Sequence, residues 1–197
     1  MRKTFTNGIN GSIFKLAERN FLLEKYSEVF MEKQVAQLLN EQINKELYSA
    51  YLYLSAADFY DDKGLKGFAN WFEVQAREEQ DHAMMIYRYL HDNDERVVLG
   101  SIAKPDKTFK TLVDPVEISY GHEMYITVQI NAVYAAAQKA DDYRTTQFLD
   151  WFVREQGEEE KNARDLLNAV KMLDGDMRSM FMLNGELQHR TYHEPSK

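Results

Sequence analysis

Four glutamates in this chain occupy positions where a helix should present apolar side chains. Glu46 shares a helical face with Leu39, Ile43, Ala50, Tyr53 and Ala57. Glu79 and His82, three residues apart, fall in register with Phe68, Phe72, Ile86 and Leu90. Glu123 aligns with Val116, Ile126, Ile130 and Tyr134, and Glu159 with Phe148, Phe152, Leu166 and Val170; Glu155 lies one turn earlier on the same side as Glu159. Within the run Glu158-Glu159-Glu160, Glu159 reads as inward and Glu160 as outward. Amphipathic helices keep carboxylates off the core stripe because burying an unpaired charge is very costly. One inward acid from each of four segments, with an imidazole beside one of them, therefore calls for a cation. Oxygen-rich ligation with a single imidazole suits iron or manganese. Two metal ions bridged by Glu79, with Glu46 and His82 on one and Glu123 and Glu159 on the other, would use all five groups. A dinuclear iron site can supply two electrons to dioxygen together, which avoids releasing superoxide.

Long helices are needed to bring these positions together, and the chain has room for them. Its three prolines are Pro105, Pro115 and Pro195, so 32–104 and 116–194 each run without a helix breaker. Asp61-Asp62-Lys63-Gly64 splits the first block and the polar Ala140-Asp141-Asp142-Tyr143 splits the second. We expect helices over 33–60, 64–91, 114–139 and 142–172, and a short fifth near 176–188 after Gly175. Helices of about 28 residues span roughly 42 Å. The segment 93–115, with Val97-Val98-Leu99-Gly100 and two prolines, reads as a long connection of extended character. Two short-linked pairs joined by one long crossover make an all-α four-helix bundle.

Composition narrows the chemistry further. At 197 residues the chain is the length of one domain, and its lack of cysteine excludes disulfides, zinc ribbons, cysteine-ligated iron–sulfur clusters and thiol nucleophiles. With 24 Lys+Arg against 32 Asp+Glu, the net charge of -8 argues against nucleic-acid or anionic-membrane partners. No apolar stretch reaches the ~18 residues of a membrane span. Residues 1–30 form an N-terminal extension of unassigned role. Lys15, Glu18, Arg19 and Glu24 interrupt any signal-peptide core there. The main domain is expected over 31–190, followed by a short tail, 191–197.

The motifs also resemble a known family. Asn40-Glu41-Gln42-Ile43-Asn44-Lys45-Glu46-Leu47-Tyr48-Ser49 resembles the first-helix signature of ferritins, and Ala76-Arg77-Glu78-Glu79-Gln80-Asp81-His82-Ala83 resembles their ExxH segment. The stretch from Phe148 through Trp151, Gln156 and Glu159 to Glu160 is similar to the fourth-helix segment of prokaryotic non-haem ferritins. The resemblance spans about 31–190 and implies a ferritin-like fold. It also implies a cytoplasmic, hollow shell of 24 subunits that oxidises Fe(II) with O2 or H2O2 and stores ferric oxyhydroxide. Carried over residue by residue, Glu46, Glu79 and His82 match the first iron position, and Glu79, Glu123 and Glu159 the second. Glu78, Glu155, Glu158 and Glu159 match a third iron position near the inner surface. Tyr53 matches a tyrosine beside the dinuclear centre, an electron donor or hydrogen-bond partner, and Gln156 a glutamine that backs the ligands.

Departures from related families are informative. Bacterioferritins carry a second ExxH on the fourth helix, where this chain has Glu155 followed by Glu158 and Gln156 followed by Glu159. Gln80 stands where their haem methionine would, so no haem is expected and Met84 and Met85 read as packing residues. The acids that line the threefold pores of animal ferritins correspond to Thr146 and Leu149. Two other functions would use the same ligands: a cage with a defunct centre, or a di-iron or manganese oxidase acting as a dimer on another substrate.

Overall fold

The computed structural model describes residues 31–195. The N-terminal extension assigned to 1–30, and the last two residues of the tail, lie outside the described residues. Five helices follow in order: α1 (Lys33–Asp62), α2 (Lys66–Asp92), α3 (Asp114–Lys139), α4 (Tyr143–Leu173) and α5 (Met177–Leu187). Among the described residues there is no strand, and no helix is long and apolar enough to cross a membrane.

The helix starts follow from local chemistry. Glu32 accepts from the Gln34 and Val35 amides, Asp142 from Thr145, and Asp176 from Arg178 and Ser179, each satisfying amides that have no partner inside the helix. Asp114 accepts from the Lys110 and Thr111 amides and so closes the crossover onto Pro115 at the start of α3. The second helix begins two residues later than the glycine signal suggests, because Gly64 takes φ +73 in the turn. The break between α3 and α4 needs no glycine: Asp141 takes φ 52 there, a left-handed conformation that a short polar side chain tolerates.

Two apolar clusters, one toward each end, make up the core. Val35, Leu39 and Ile43 of α1 join Ala83, Ile86 and Leu90 of α2, Ile126 to Ala137 of α3, and Leu149 and Phe152 of α4. Ala50 to Tyr60 of α1 join Phe68 to Ala76 of α2, Val116 of α3, and Leu166 to Val170 of α4. Read along each helix, α1 and α4 run from the first cluster to the second, while α2 and α3 run the opposite way. Consecutive helices α2 and α3 are therefore parallel, and the chain must return the length of the bundle between them. The crossover does so along α1. Asn40 accepts from the Val98 amide at 2.6 Å, Asn44 donates to the Ser101 carbonyl at 3.2 Å, Phe109 packs on Phe59, and Tyr60 donates to the Leu112 carbonyl at 2.5 Å. These side-chain bonds satisfy an extended backbone that has no sheet to join.

Candidate metal centre

The change from one apolar cluster to the other happens on each of the four long helices at an acid. Glu46 follows Ile43 and precedes Ala50, Glu79 lies between Ala76 and Ala83, Glu123 between Val116 and Ile126, and Glu159 between Phe152 and Leu166. All four carboxylates and His82 are between 1 and 4 % exposed. The helical register thus places one polar layer at mid-height between two apolar ones.

Ligand atoms of Glu46, Glu79 and His82 lie within 4.8 Å of one another, as do those of His82, Glu155 and Glu159. Among the described residues, no Lys or Arg forms an ion pair with the four buried acids. Side-chain amides and a phenol hold most of them instead. Gln42 Nε2 donates to Glu46 Oε1 at 2.8 Å, and Gln75 Nε2 to Glu159 Oε2 at 2.5 Å. Gln156 Nε2 donates to Glu123 Oε2 at 2.7 Å, and the Tyr53 hydroxyl donates to Glu123 Oε1. Glu46 Oε2 and Glu79 Oε2 have no hydrogen-bond partner. The nearby His82 Nδ1 lies 3.4 Å from Glu79 Oε2. Buried carboxylate oxygens without donors cost several kcal/mol in a metal-free protein, and they are the atoms a cation would take. The donor set of carboxylates with one imidazole fits iron.

Electrostatics agree with the geometry. Burial raises the Glu79 carboxyl well above 4.5, with repulsion from Glu123, Glu46 and Glu159 adding to it. Burial also raises Glu46, against the opposing influence of His82. Glu123 is pushed up by burial to about 7, and Glu159 by burial and then by Glu123 to about 8. Tyr53 is raised well above 10 by burial and the neighbouring carboxylates, so its hydroxyl keeps its proton and can donate. Trp151 and Phe152 pack edge-on against the His82 ring, at 5.4 and 5.9 Å between centroids, and fix its plane.

The structure brings Glu46, Glu79, His82, Glu123, Glu159, Tyr53 and Gln156 into one buried layer, with half-buried Glu155 beside it. Glu158 is exposed. Glu78, partly buried, faces the Arg190 guanidinium at 2.6 Å. Glu160 accepts from the Thr127 hydroxyl at the α3–α4 seam. Leu149 is fully buried within the bundle core, whereas Thr146 is partly exposed and bonds its own helix at the Tyr143 carbonyl. Sequence reasoning missed four polar neighbours. Gln42 and Gln75 lie one turn before Glu46 and Glu79 on the same faces, a spacing that marks them. His122, pushed down to about 4 by burial, bonds Ser49 at 2.8 Å and stands edge-on to Tyr53. Arg190 carries no sequence signal, being 112 residues from Glu78.

Comparison with known proteins places this architecture. The ferritin-like domain family model matches residues 36–173. The chain is 40% identical over 143 residues to the bacterial non-heme ferritin of Campylobacter jejuni, covering 73% of this chain and 86% of that protein. It is 32% identical over 164 residues to the bacterial non-heme ferritin of Staphylococcus saprophyticus, covering 83% and 98%. Among solved structures, an engineered closed form of the Archaeoglobus fulgidus ferritin superposes with a TM-score of 0.81 at 36% identity, over 83% of this chain and 99% of that one. The open-pore ferritin of the same archaeon gives 0.80 at 37% identity, over 82% and 98%.

Proposed function

The chain belongs to the ferritin family, and from that premise we propose that it is a ferroxidase that oxidises Fe(II) at the buried carboxylate layer and stores the ferric product as an oxyhydroxide mineral inside a 24-subunit shell. The observation that carries this reading is the layer itself: four buried carboxylates and one imidazole, drawn from all four long helices, with donorless oxygens on Glu46 and Glu79.

Iron is the substrate. Two Fe(II) ions give one electron each to O2, which with two protons leaves as H2O2; H2O2 is itself the alternative oxidant. Glu46, Glu79 and His82 would hold one iron, and Glu79, Glu123 and Glu159 the other, with Glu155 near the second and toward His82. Glu79 suits the bridging role because it stands among three other acids and has an oxygen that no donor claims. Gln42, Gln75, Gln156 and Tyr53 hold the remaining carboxylates in place, which lowers the reorganisation needed when iron binds. The apolar clusters above and below exclude water. The raised carboxyls release protons as iron binds, and oxidation to Fe(III) strengthens the charge that keeps them ionised.

Anaerobic Fe(II)-loaded protein mixed with O2 in a stopped-flow spectrometer tests the assignment. Glu79→Ala should slow the fast absorbance rise by on the order of 100-fold while helicity and native mass are unchanged. Rapid oxidation undiminished in that variant would overturn the site. A native mass of a dimer rather than a shell would overturn storage.

A further inference from the structure

Beyond α5 the chain turns back along α2 rather than leaving the bundle. Asn70 Nδ2 donates to the carbonyls of Leu187 and Arg190, at 3.2 and 3.0 Å, and the Tyr192 hydroxyl donates to Asp81 further along the same helix. Between these anchors Arg190 turns onto the bundle. Its guanidinium lies over the Trp71 ring, 4.7 Å from the centroid, and donates to the Trp71 carbonyl at 3.4 Å and to Glu78 Oε2 at 2.6 Å. The two side chains of that ion pair are only 21% and 18% exposed.

Glu78 adjoins Glu79 in sequence, and Glu155 and Asp81 both repel its carboxylate. By charge and position it is a natural ligand for a metal ion beside His82, Glu155 and Glu159, the second triad the structure brings together. Yet its carboxylate is committed to a guanidinium. We propose that Arg190 is the resident counter-ion of Glu78, competing with a metal ion for that carboxylate, so that the C-terminal tail sets how tightly a third ion binds beside the centre. This inference rests on the dinuclear reading above.

The physical basis is competition between cations. A charge-assisted hydrogen bond in a partly desolvated site is stronger and less screened than a surface pair. A divalent ion approaching Glu78 meets the guanidinium's positive charge and must share a carboxylate that the arginine already holds through Oε2. The strap that Asn70 and Tyr192 anchor keeps the guanidinium at that carboxylate. Trp71 holds the guanidinium plane from one side, so the charge stays fixed even when a neighbouring ligand shifts.

The test is equilibrium binding of Co(II), which is not oxidised by the centre, to the assembled full-length protein under anaerobic conditions, followed by calorimetry and by the Co(II) ligand-field spectrum. Wild type should bind two ions tightly and a third weakly. Arg190→Gln should tighten the third by roughly tenfold or more and leave the first two within about twofold. Arg190→Lys, which keeps the charge, should stay near wild type, and adding Glu78→Gln to Arg190→Gln should remove the gain. Arg190→Met keeps the contact with Trp71 without the charge and should reproduce Arg190→Gln if the latter fails to assemble. Third-site affinity unchanged in both neutral variants, with two tight sites intact, would overturn the proposal. Absence of any tight Co(II) binding to wild type would instead overturn the dinuclear reading beneath it.

Discussion

Both oxygens of Glu123 already have donors, Tyr53 on one and Gln156 on the other. A carboxylate has about four lone-pair sites, so a metal ion can join these donors without evicting them. Their effect is to favour the ionised form of a carboxyl that burial pushes up to about 7. Tyr53→Phe removes one donor from a carboxylate buried away from solvent. The Glu123 carboxyl should then rise further, and the pH at which Co(II) loading is half complete should move upward by about one unit. A titration midpoint that stays in place, or falls, would show that Tyr53 does not support that carboxylate. Glu79 presents the opposite case: its donorless oxygen makes it the acid least suited to a metal-free fold and best suited to bridging.

At the scale of helices, the short α5 does more than extend the bundle. The second helix has no side-chain cap of its own at Leu65. Asn184 of α5 supplies it from outside, its Oδ1 accepting from the Gly67 and Phe68 amides at 2.8 and 3.2 Å. This contact requires close approach: a Cβ on Gly67 would stand 1.7 Å from the Asn184 carbonyl oxygen. Because that neighbour is backbone, it cannot swing away. Gly67→Ala should therefore lift α5 from α2 and cost about 1–3 kcal/mol, while Asn184→Ala, which only uncaps the amides, should cost about 0.5–2 kcal/mol. Thermal unfolding measures both, and hydrogen exchange should show α5 opening in the glycine variant. An unperturbed α5 in Gly67→Ala would mean the contact does not constrain the fold. The same docking directs residues 188–195 along α2, so the position of Arg190 depends on Gly67.

For the molecule as a whole, the buried layer sets the pH dependence of stability. Burial raises the folded-state carboxyls of Glu123 to about 7 and Glu159 to about 8 from an ordinary 4.5, and raises Glu46 and Glu79 as well. Between these limits the folded chain holds more protons than the unfolded chain, so metal-free stability falls as pH rises through the window. His122, depressed from 6.5 to about 4 by burial, acts in the opposite sense below 6.5. The unopposed range therefore runs from about pH 6.5 to about 8. Protein stripped by a chelator should lose several degrees of Tm across that range, and saturating Co(II) should abolish or reverse the slope, since binding the ionised acids releases their protons. Differential scanning calorimetry of both forms decides this, and a metal-free Tm rising with pH would contradict it.

Much of this was legible in the residue order. Helical period alone placed Glu46, Glu79, His82, Glu123 and Glu159 on core faces, because each stands at multiples of three and four from Leu, Ile, Val and Phe, and that spacing is a local property of the chain. Pro105 and Pro115, with the turn residues at 61–64, set the helix pairs and the crossover for the same reason. Leu149 shows where residue order stopped: alignment with pore acids said nothing of its burial, which depends on how α4 turns against the other helices. Tertiary structure alone decided that one polar layer separates two apolar clusters, that Glu79 lacks a donor, that Asn184 caps a helix it does not belong to, and that Arg190 holds Glu78. Those outcomes depend on contacts between residues up to 117 apart in the chain, where no local spacing rule applies and only packing selects the partner.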